Sequence, residues 1–273
     1  MQCPRAFGER FWPRTRYENA GILCVFQVFI PQDWTKRSGE GRRTLHQRFP
    51  HKKGAVLLAK QITRIVLTGG PAAGKTTLIS RILKEFKQDE GWKVITIPET
   101  ATELISGFGI KPFGGCVSML DFQDFVVSDQ LHKEQLALKA AQMVPEEHVI
   151  VLYDRALFDD KAYISDEEFR QVLARFGLTE QQALSHYDAV LHLVSCAKGA
   201  EFAYNFGNEA RYEPLELARE KDDLTLRAWR AHPNLRVIDN SVDFEDKIAR
   251  GLRAVYEALG RPTQQEVWHK YLI

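Results

Sequence analysis

Short apolar runs recur along the chain from about residue 61 onward. Each is three to five residues long and has no polar face, as expected for parallel strands that helices cover on both sides. The runs are Ile65–Leu67, Val94–Ile97, Val149–Tyr153, Val190–Val194 and Leu235–Ile238. The pattern therefore predicts five buried strands.

Segments with helical spacing of apolar residues separate these runs. The predicted helices are Lys75–Phe86, Asp121–Met143, Pro214–Ala231 and Asp243–Leu259. On the long second helix, we expect Phe122 and Phe125 to lie in the core. Strands that alternate with helices predict an α/β fold, with a doubly wound, five-stranded parallel sheet flanked by helices.

Composition excludes several classes of protein. Of the 273 residues, 44% are hydrophobic and 27% are charged, which is typical of globular proteins and excludes a wholly disordered chain. The longest apolar run, Gly21–Ile30, is half the roughly 20 residues that a membrane helix needs. The cysteines are too scattered for a disulfide framework or a zinc site, which favours a reducing, cytoplasmic location. They are Cys3, Cys24, Cys116 and Cys196.

The net charge of +1 conceals two different regions. Residues 1–60 hold 12 Lys and Arg against 4 Asp and Glu, a surplus of +8, whereas the remainder holds 25 and 32, a balance of −7. We predict that residues 1–60 form a basic, disordered extension and that residues 61–260 form the folded domain. Three alternatives for the extension stay open: a transit peptide for organelle import, a protein-binding segment, and a segment attracted to anionic lipid.

A glycine-rich motif follows the first predicted strand. Gly69-x4-Gly74-Lys75-Thr76 matches the GxxxxGK[ST] pattern, and its position between a strand and a helix is the one that the pattern requires. Glycines let backbone N–H groups turn towards phosphate oxygens, the lysine reaches the β- and γ-phosphates, and the threonine hydroxyl binds Mg²⁺. The predicted nucleotide-binding residues are Gly69, Gly70, Pro71, Ala72, Ala73, Gly74, Lys75, Thr76 and Thr77.

Two acids end neighbouring strands. Asp154 ends the third run, where a Walker B carboxylate holds Mg²⁺, although a helix-capping role is the simpler alternative. Glu99 ends the second run and is a candidate general base or substrate-orienting carboxylate; otherwise it interacts with a helix N-terminus. Arg155 contacts a substrate phosphate or pairs with Asp159 or Asp160.

A polar, glycine-containing segment follows the fourth run. It contains Arg211, which we predict to lie on a lid and to neutralise charge during phosphoryl transfer. Arg227 and Arg230 fit a solvated helix face better. His192, inside the fourth strand, is predicted to be a core residue.

These motifs together resemble a known family. The resemblance rests on RIVLTGGPAAGKTTLI, IPETATELI, LYDRALFDDKAY and NEARYEPLELARE, and above all on AHPNLRVIDNSVDFEDKI. Residues 62–260 resemble the P-loop ATPase and kinase-like domains of the NadR and TRPL-translocation-defect type. The resemblance implies an AAA-family, P-loop kinase-like fold that binds ATP or GTP with Mg²⁺. It also implies that Asp154 is the Walker B acid, that Arg211 belongs to the lid, and that Asn240 contacts the base.

Residues 261–273 carry a further resemblance. In many proteins of this group the domain continues into a CYTH-type triphosphate-tunnel domain whose first strand bears an ExExK pattern. Here Glu266, Trp268 and Lys270 occupy those positions, so Trp268 replaces the second Glu. The segment is either the first strand of a truncated CYTH-like domain or a tail beside the last helix. A single strand cannot form a tunnel, so the segment by itself does not indicate triphosphatase activity.

Two function classes remain open. The first is a Mg²⁺-dependent protein that hydrolyses a nucleoside triphosphate or transfers its γ-phosphate to a small acceptor. ATP is favoured over GTP because the chain lacks NKxD and DxxG motifs in the places a Ras-like GTPase has them. The alternative is a nucleotide-dependent regulatory module with a phosphoinositide or protein partner. Nucleic-acid binding is disfavoured because no recognised module accompanies the basic segment.

Overall fold

The apolar runs form one parallel sheet. In this computed structural model, residues 60–112, 114, 117–201 and 214–262 are described. Within them the strand order is β2-β3-β1-β4-β5, which confirms the predicted five-stranded parallel sheet. The strands are β1 (Gln61–Thr68), β2 (Trp92–Ile97), β3 (His148–Asp154), β4 (Ala189–Leu193) and β5 (Leu235–Ile238).

Helices connect and cover these strands. They are α1 (Lys75–Phe86), α2 (Thr100–Ser106), α3 (Met119–Met143), α4 (Asp166–Arg175), α5 (Glu180–Leu184), α6 (Leu215–Trp229) and α7 (Phe244–Ala258). A 3-10 helix, Leu157–Ala162, follows β3. Within the described residues, no helix combines the length and the apolar character needed to cross a membrane.

Alternation along β1 divides the core between the two faces of the sheet. Ile65 and Leu67 pack with α1 and α7, whereas Val66 packs with α3, α4 and α5. All three side chains are fully buried, and each contributes roughly 1.5–3 kcal/mol of hydrophobic stabilisation. Covering helices on both faces explain why the strands have no polar side.

The strand register brings candidate site residues together. Leu67 of β1 pairs with Asp154 of β3, and Thr68 pairs with His192 of β4. The carboxyl end of β3 therefore lies beside the start of the glycine-rich loop. In open parallel sheets, ligands bind outside these carboxyl ends, where neighbouring connections diverge to opposite sides.

One core prediction on α3 is half wrong. Phe122 is buried as predicted, but Phe125 is 43% exposed. The two side chains are three residues apart, about 300° around a helix, so an apolar face centred on Phe122 and Val126 leaves Phe125 at its edge.

Candidate functional site

The loop between β1 and α1 requires glycine where it passes β4. Gly69 has φ 132°, and a Cβ atom there would lie 2.0 Å from the carbonyl oxygen of Leu193. Gly74 has φ 94°, and its Cβ would approach the Phe244 ring at 3.1 Å. Ala72 also takes a left-handed conformation, with φ 53°. Alternating backbone twists of this kind turn N–H groups towards one concave side, which suits an anion.

Lys75 lies against this loop. Its Nζ donates to the carbonyl oxygens of Gly69 and Gly70, each at 3.1 Å. Burial lowers the pKa of Lys75 to about 8, and the charge of Arg155 acts in the same direction against the opposing carboxylates. The ammonium group is thus held at the phosphate-binding loop in an environment that disfavours its charge.

Asp154 supplies an oxygen that fits a metal. It lies at the carboxyl end of β3, and among the described residues its buried Oδ1 has no hydrogen-bond partner. Burial raises the pKa of Asp154, while the charge of Lys75 opposes that rise. Asp154 and the exposed Thr76 line the same cavity. Carboxylate and hydroxyl oxygens are the ligands that Mg²⁺ prefers, so these residues fit the ion.

Asp154 and Thr76 suit a Mg²⁺ ion whose remaining ligands are phosphates and water. Within the described ranges, no group of three or more His, Cys, Asp or Glu side chains could hold a metal ion. Mg²⁺ is usually held by one or two carboxylates, water and substrate phosphates instead of a full protein cage. The Asp154 and Thr76 pair corresponds to that sparse kind of site.

Glu99 and Arg155 form an ion pair at the edge of this cavity. Arg155 Nε lies 2.7 Å from Glu99 Oε1, and Arg155 Nη1 donates to Asp159 Oδ1 at 3.0 Å. Of the two sequence interpretations of Arg155, the structure shows the pairing with Asp159. Glu99 is also the N-cap residue of α2 but makes no side-chain capping hydrogen bond.

The two partners hold each other in the charged state. Burial acts to raise the pKa of Glu99, but the charges of Arg155 and Lys75 outweigh it and keep the pKa below its ordinary value. Burial acts to lower the pKa of Arg155, but the charges of Asp159 and Glu99 outweigh burial and hold this pKa above its ordinary value. Glu99 is therefore a carboxylate at neutral pH, able to accept a hydrogen bond.

Asp159 fixes the position of Arg155. Besides Arg155, it accepts hydrogen bonds from Thr68 Oγ1 at 2.6 Å, Trp229 Nε1 at 3.1 Å and the backbone N of Ala156 at 3.1 Å. These donors come from β1, α6 and the start of the 3-10 helix. Such a fully hydrogen-bonded buried carboxylate holds its arginine rigidly.

A cavity of about 930 Å³ lies over the glycine-rich loop. Every residue from Pro71 to Thr77 lines it, together with Glu99, Asp154 and Arg155. The segments after β4 and β5 also line it, with Cys196, Gly199, Ala200, Asn240, Val242, Phe244 and Lys247. A volume of this size lies within the range of pockets that bind cofactors and small molecules, roughly 300–1,000 Å³.

A second, smaller cavity of about 210 Å³ lies beside the first, between α2, α3 and the 3-10 helix. Four residues line both cavities: Glu99, Arg155, Tyr163 and Lys221. Lys221 Nζ lies 4.7 Å from the centre of the Tyr163 ring. The ion pair of Glu99 and Arg155 thus lies at the boundary between the large cavity and the small cavity.

Comparison with known families agrees with this geometry. The profile of a family described as an AAA domain matches residues 64–247, two thirds of the chain. The chain belongs to this AAA domain family. A comparison with curated proteins gives no match. Family and fold together make this a nucleotide-binding P-loop domain, in line with the coarser part of the sequence resemblance.

Asn240 of the AAA domain lines the large cavity. Its amide nitrogen donates to the carbonyl oxygens of Ser195 and Lys198 at 2.8 and 2.6 Å. Its Oδ1 accepts from Lys247 Nζ at 2.7 Å. These contacts fix the loop after β4, and the predicted contact with a base stays a prediction.

Several site predictions have other outcomes. Arg211 lies outside the described residues, as does the segment 263–273 with its CYTH-like pattern. Cys196 is buried, while Cys116 lies outside the described residues. His192 is fully buried, as predicted for the core, and its Nε2 lies 3.3 Å from Asp222 Oδ1.

Sequence reasoning missed the site residues contributed by distant elements. Asp222 of α6 accepts hydrogen bonds from the backbone N of Gly70 at 2.9 Å and of Ser195 at 3.0 Å. Tyr163 and Lys221 join the two cavities. Tyr163 is the last residue of the motif LYDRALFDDKAY, so the sequence could have indicated it. No spacing in the sequence indicates Asp222 or Lys221.

Proposed function

We propose that this AAA domain is a Mg²⁺-dependent phosphotransferase. It binds a nucleoside triphosphate, with ATP favoured over GTP, and transfers the γ-phosphate to a small acceptor. The observation that carries the proposal is the second cavity, which shares Glu99 and Arg155 with the nucleotide cavity. Hydrolysis or a regulatory switch needs no separate acceptor space at that point.

Each residue of the nucleotide cavity has a role in the proposal. Lys75 and the loop amides bind the phosphates, because charge-assisted hydrogen bonds to phosphate oxygens are strong. Thr76 and Asp154 would hold Mg²⁺. When bound, Mg²⁺ supplies positive charge that polarises the phosphate oxygens.

Glu99 orients the acceptor. Its carboxylate, ionised because of Arg155 and Lys75, accepts a hydrogen bond from the acceptor hydroxyl. The hydroxyl oxygen forms a bond to the γ-phosphorus, and the bond from that phosphorus to the β–γ bridging oxygen breaks, releasing the nucleoside diphosphate. The hydroxyl proton passes to the carboxylate and then to solvent. A low pKa suits this role, because little charge develops on the acceptor oxygen in a loose transition state.

The preference for ATP rests on the part of the large cavity that is lined by the segments after β4 and β5. These segments offer small and apolar side chains, including Cys196, Ala200, Val242 and Phe244. The NKxD carboxylate that reads the guanine edge in Ras-like proteins has no counterpart in the sequence. ATP is accordingly the nucleotide to test first, with GTP beside it.

The test follows the fate of a γ-³²P label from ATP. We expect the label to appear in a small molecule when a small-molecule cell extract is added, and Glu99→Gln to lower the rate roughly 10²–10⁴-fold without weakening nucleotide binding. Glu103→Gln is the matched control, because Glu103 is a nearby carboxylate on α2 that pairs with Lys133, and neither residue lines either cavity.

Two results would contradict the proposal. One is release of label only as inorganic phosphate at a rate that no extract changes, which would indicate a hydrolase. The other is tight nucleotide binding with neither release nor transfer, which would support the regulatory module instead.

A further inference from the structure

The small cavity has an apolar wall. Ala101, Ile105, Met119, Phe122 and Val126 line it from α2 and α3. At about 210 Å³ it is smaller than the roughly 300–1,000 Å³ of pockets for drug-sized ligands. A ligand that fills it has a compact apolar body, such as a single ring.

One polar side chain in this wall has an oxygen that accepts no hydrogen bond from the described residues. Gln123 is only 3% exposed, lines the cavity, and among the described residues its Oε1 accepts no hydrogen bond. The amide nitrogen of Gln123 donates a hydrogen bond to the sulfur of Met119, at 3.4 Å. A buried acceptor without a donor costs roughly 1–3 kcal/mol, so Gln123 is suited to a ligand that donates a hydrogen bond.

The charged groups of the cavity are engaged with protein partners. Glu99 and Asp159 both pair with Arg155, and Asp159 accepts three further hydrogen bonds. Lys221 lies over the Tyr163 ring at the boundary with the nucleotide cavity. Arg155 already lies between two carboxylates, so it offers an anionic ligand little net attraction.

Asp160 is a further polar group of the cavity. It is 7% exposed and lines the cavity. Burial and the neighbouring Asp159 raise the pKa of Asp160 well above its ordinary value, which favours the protonated, uncharged form of the side chain. A protonated carboxylic acid can both donate and accept a hydrogen bond.

We propose that this cavity binds the phosphoryl acceptor, and that the acceptor is a neutral alcohol with a compact apolar ring and a hydrogen-bond donor facing Gln123. The inference rests on the phosphotransferase function proposed above. Gln123 is then a specificity-determining residue. An acceptor that has a carboxylate in place of the hydrogen-bond donor binds poorly, because the carboxylate and the Gln123 oxygen both carry negative charge and repel each other.

Matched pairs of small ring alcohols test the inference. One member carries a carboxamide and the other a carboxylate, as in 4-(hydroxymethyl)benzamide and 4-(hydroxymethyl)benzoate. Binding to the full chain is measured by ligand-observed NMR with Mg²⁺ and a non-hydrolysable ATP analogue. We expect the neutral members to bind at least tenfold more tightly than their anionic partners.

Variants locate the binding. Gln123→Leu keeps the volume and removes the acceptor, and should weaken the neutral compounds roughly tenfold or more. Ala101→Leu reduces the cavity and should abolish their binding. Gln135→Leu is the matched control on the exposed side of the same helix and should change nothing. Circular dichroism shows that each variant is folded.

The nucleotide analogue in the same samples separates the two proposals. If the analogue fails to bind, the proposed function itself fails. If it binds with unchanged affinity, three results overturn the acceptor inference alone: anionic members bind as well as neutral ones, no member of either set binds, or Gln123→Leu leaves the neutral compounds unaffected.

Discussion

Lys75 carries its positive charge in an environment that disfavours the charged state. Burial lowers its pKa to about 8, so at pH 9 only about one in ten of these side chains keeps its proton. A bound triphosphate favours the protonated form and raises that pKa. Nucleotide affinity should therefore be nearly constant below about pH 7, about halved at pH 8, about tenfold lower at pH 9, and lower still above it. Equilibrium titration with a fluorescent ATP analogue at pH 7–9.5 measures this change.

Lys75→Arg is the control for that titration, since arginine stays protonated over the whole range. The variant should bind less tightly, because the guanidinium fits the loop poorly, but with an affinity that barely changes with pH. Lys247 also lines the cavity and also has a pKa of about 8, so any pH dependence left in Lys75→Arg reports on Lys247. Unchanged affinity of the wild type up to pH 9.5 would contradict the assignment of Lys75.

Residues within one motif were predictable, and their distant partners were not. Gly69, Gly74 and Lys75 lie within seven positions, so their spacing alone indicates a phosphate-binding loop. Asp159 meets Thr68 across 91 positions and Trp229 across 70. Contacts over such distances depend on strand order and helix packing, which hydrophobic periodicity does not specify.

At the scale of elements, one carboxylate joins α6 to the nucleotide loop. Asp222 is fully buried and accepts from the backbone N of Gly70 and Ser195, and Lys198 Nζ lies 3.0 Å from its Oδ2. Burial acts to raise the pKa of Asp222, but His192, Lys198 and Gly70 outweigh it and hold the pKa below its ordinary value. Its contribution to stability is thus present above about pH 4 and is lost as the pH falls below that.

We expect Asp222→Ala to lower the free energy of unfolding by about 3–5 kcal/mol, because two backbone donors and a lysine lose their acceptor in a buried site. Asp223→Ala is the matched control: Asp223 also pairs with Lys198, but its side chain is 70% exposed, so the change should stay below about 1 kcal/mol. Urea denaturation at pH 7 measures both. Equal effects of the two substitutions would show that Asp222 does not anchor the loop.

The helices predicted from the sequence are those with twelve residues or more. Helix α1 has the predicted bounds, β1, β2 and β3 extend the predicted runs, β4 is shifted by one residue, and β5 has the predicted bounds. Helices α2, α4 and α5, which have at most ten residues, are outside the prediction. A usable signal was present for two of them: Ser165 with Glu168, and Thr179 with Gln182, form capping boxes.

At the scale of the whole molecule, the AAA domain match covers residues 64–247 and lies inside the predicted domain of residues 61–260. The surplus charge of +8 belongs to residues 1–60, nearly all of which lie outside both the match and the described residues. The order of residues around Lys75, more than the composition, identified what this molecule binds.

Calorimetric titration of the full chain with ATP, with and without Mg²⁺, tests the nucleotide site most directly. We predict one binding site per chain, an affinity that Mg²⁺ increases, and roughly 10- to 100-fold weaker binding by Lys75→Ala at unchanged melting temperature. Asp154→Asn should lose most of the increase that Mg²⁺ gives. Binding of ATP by a folded Lys75→Ala variant with the affinity of the wild type would contradict the account.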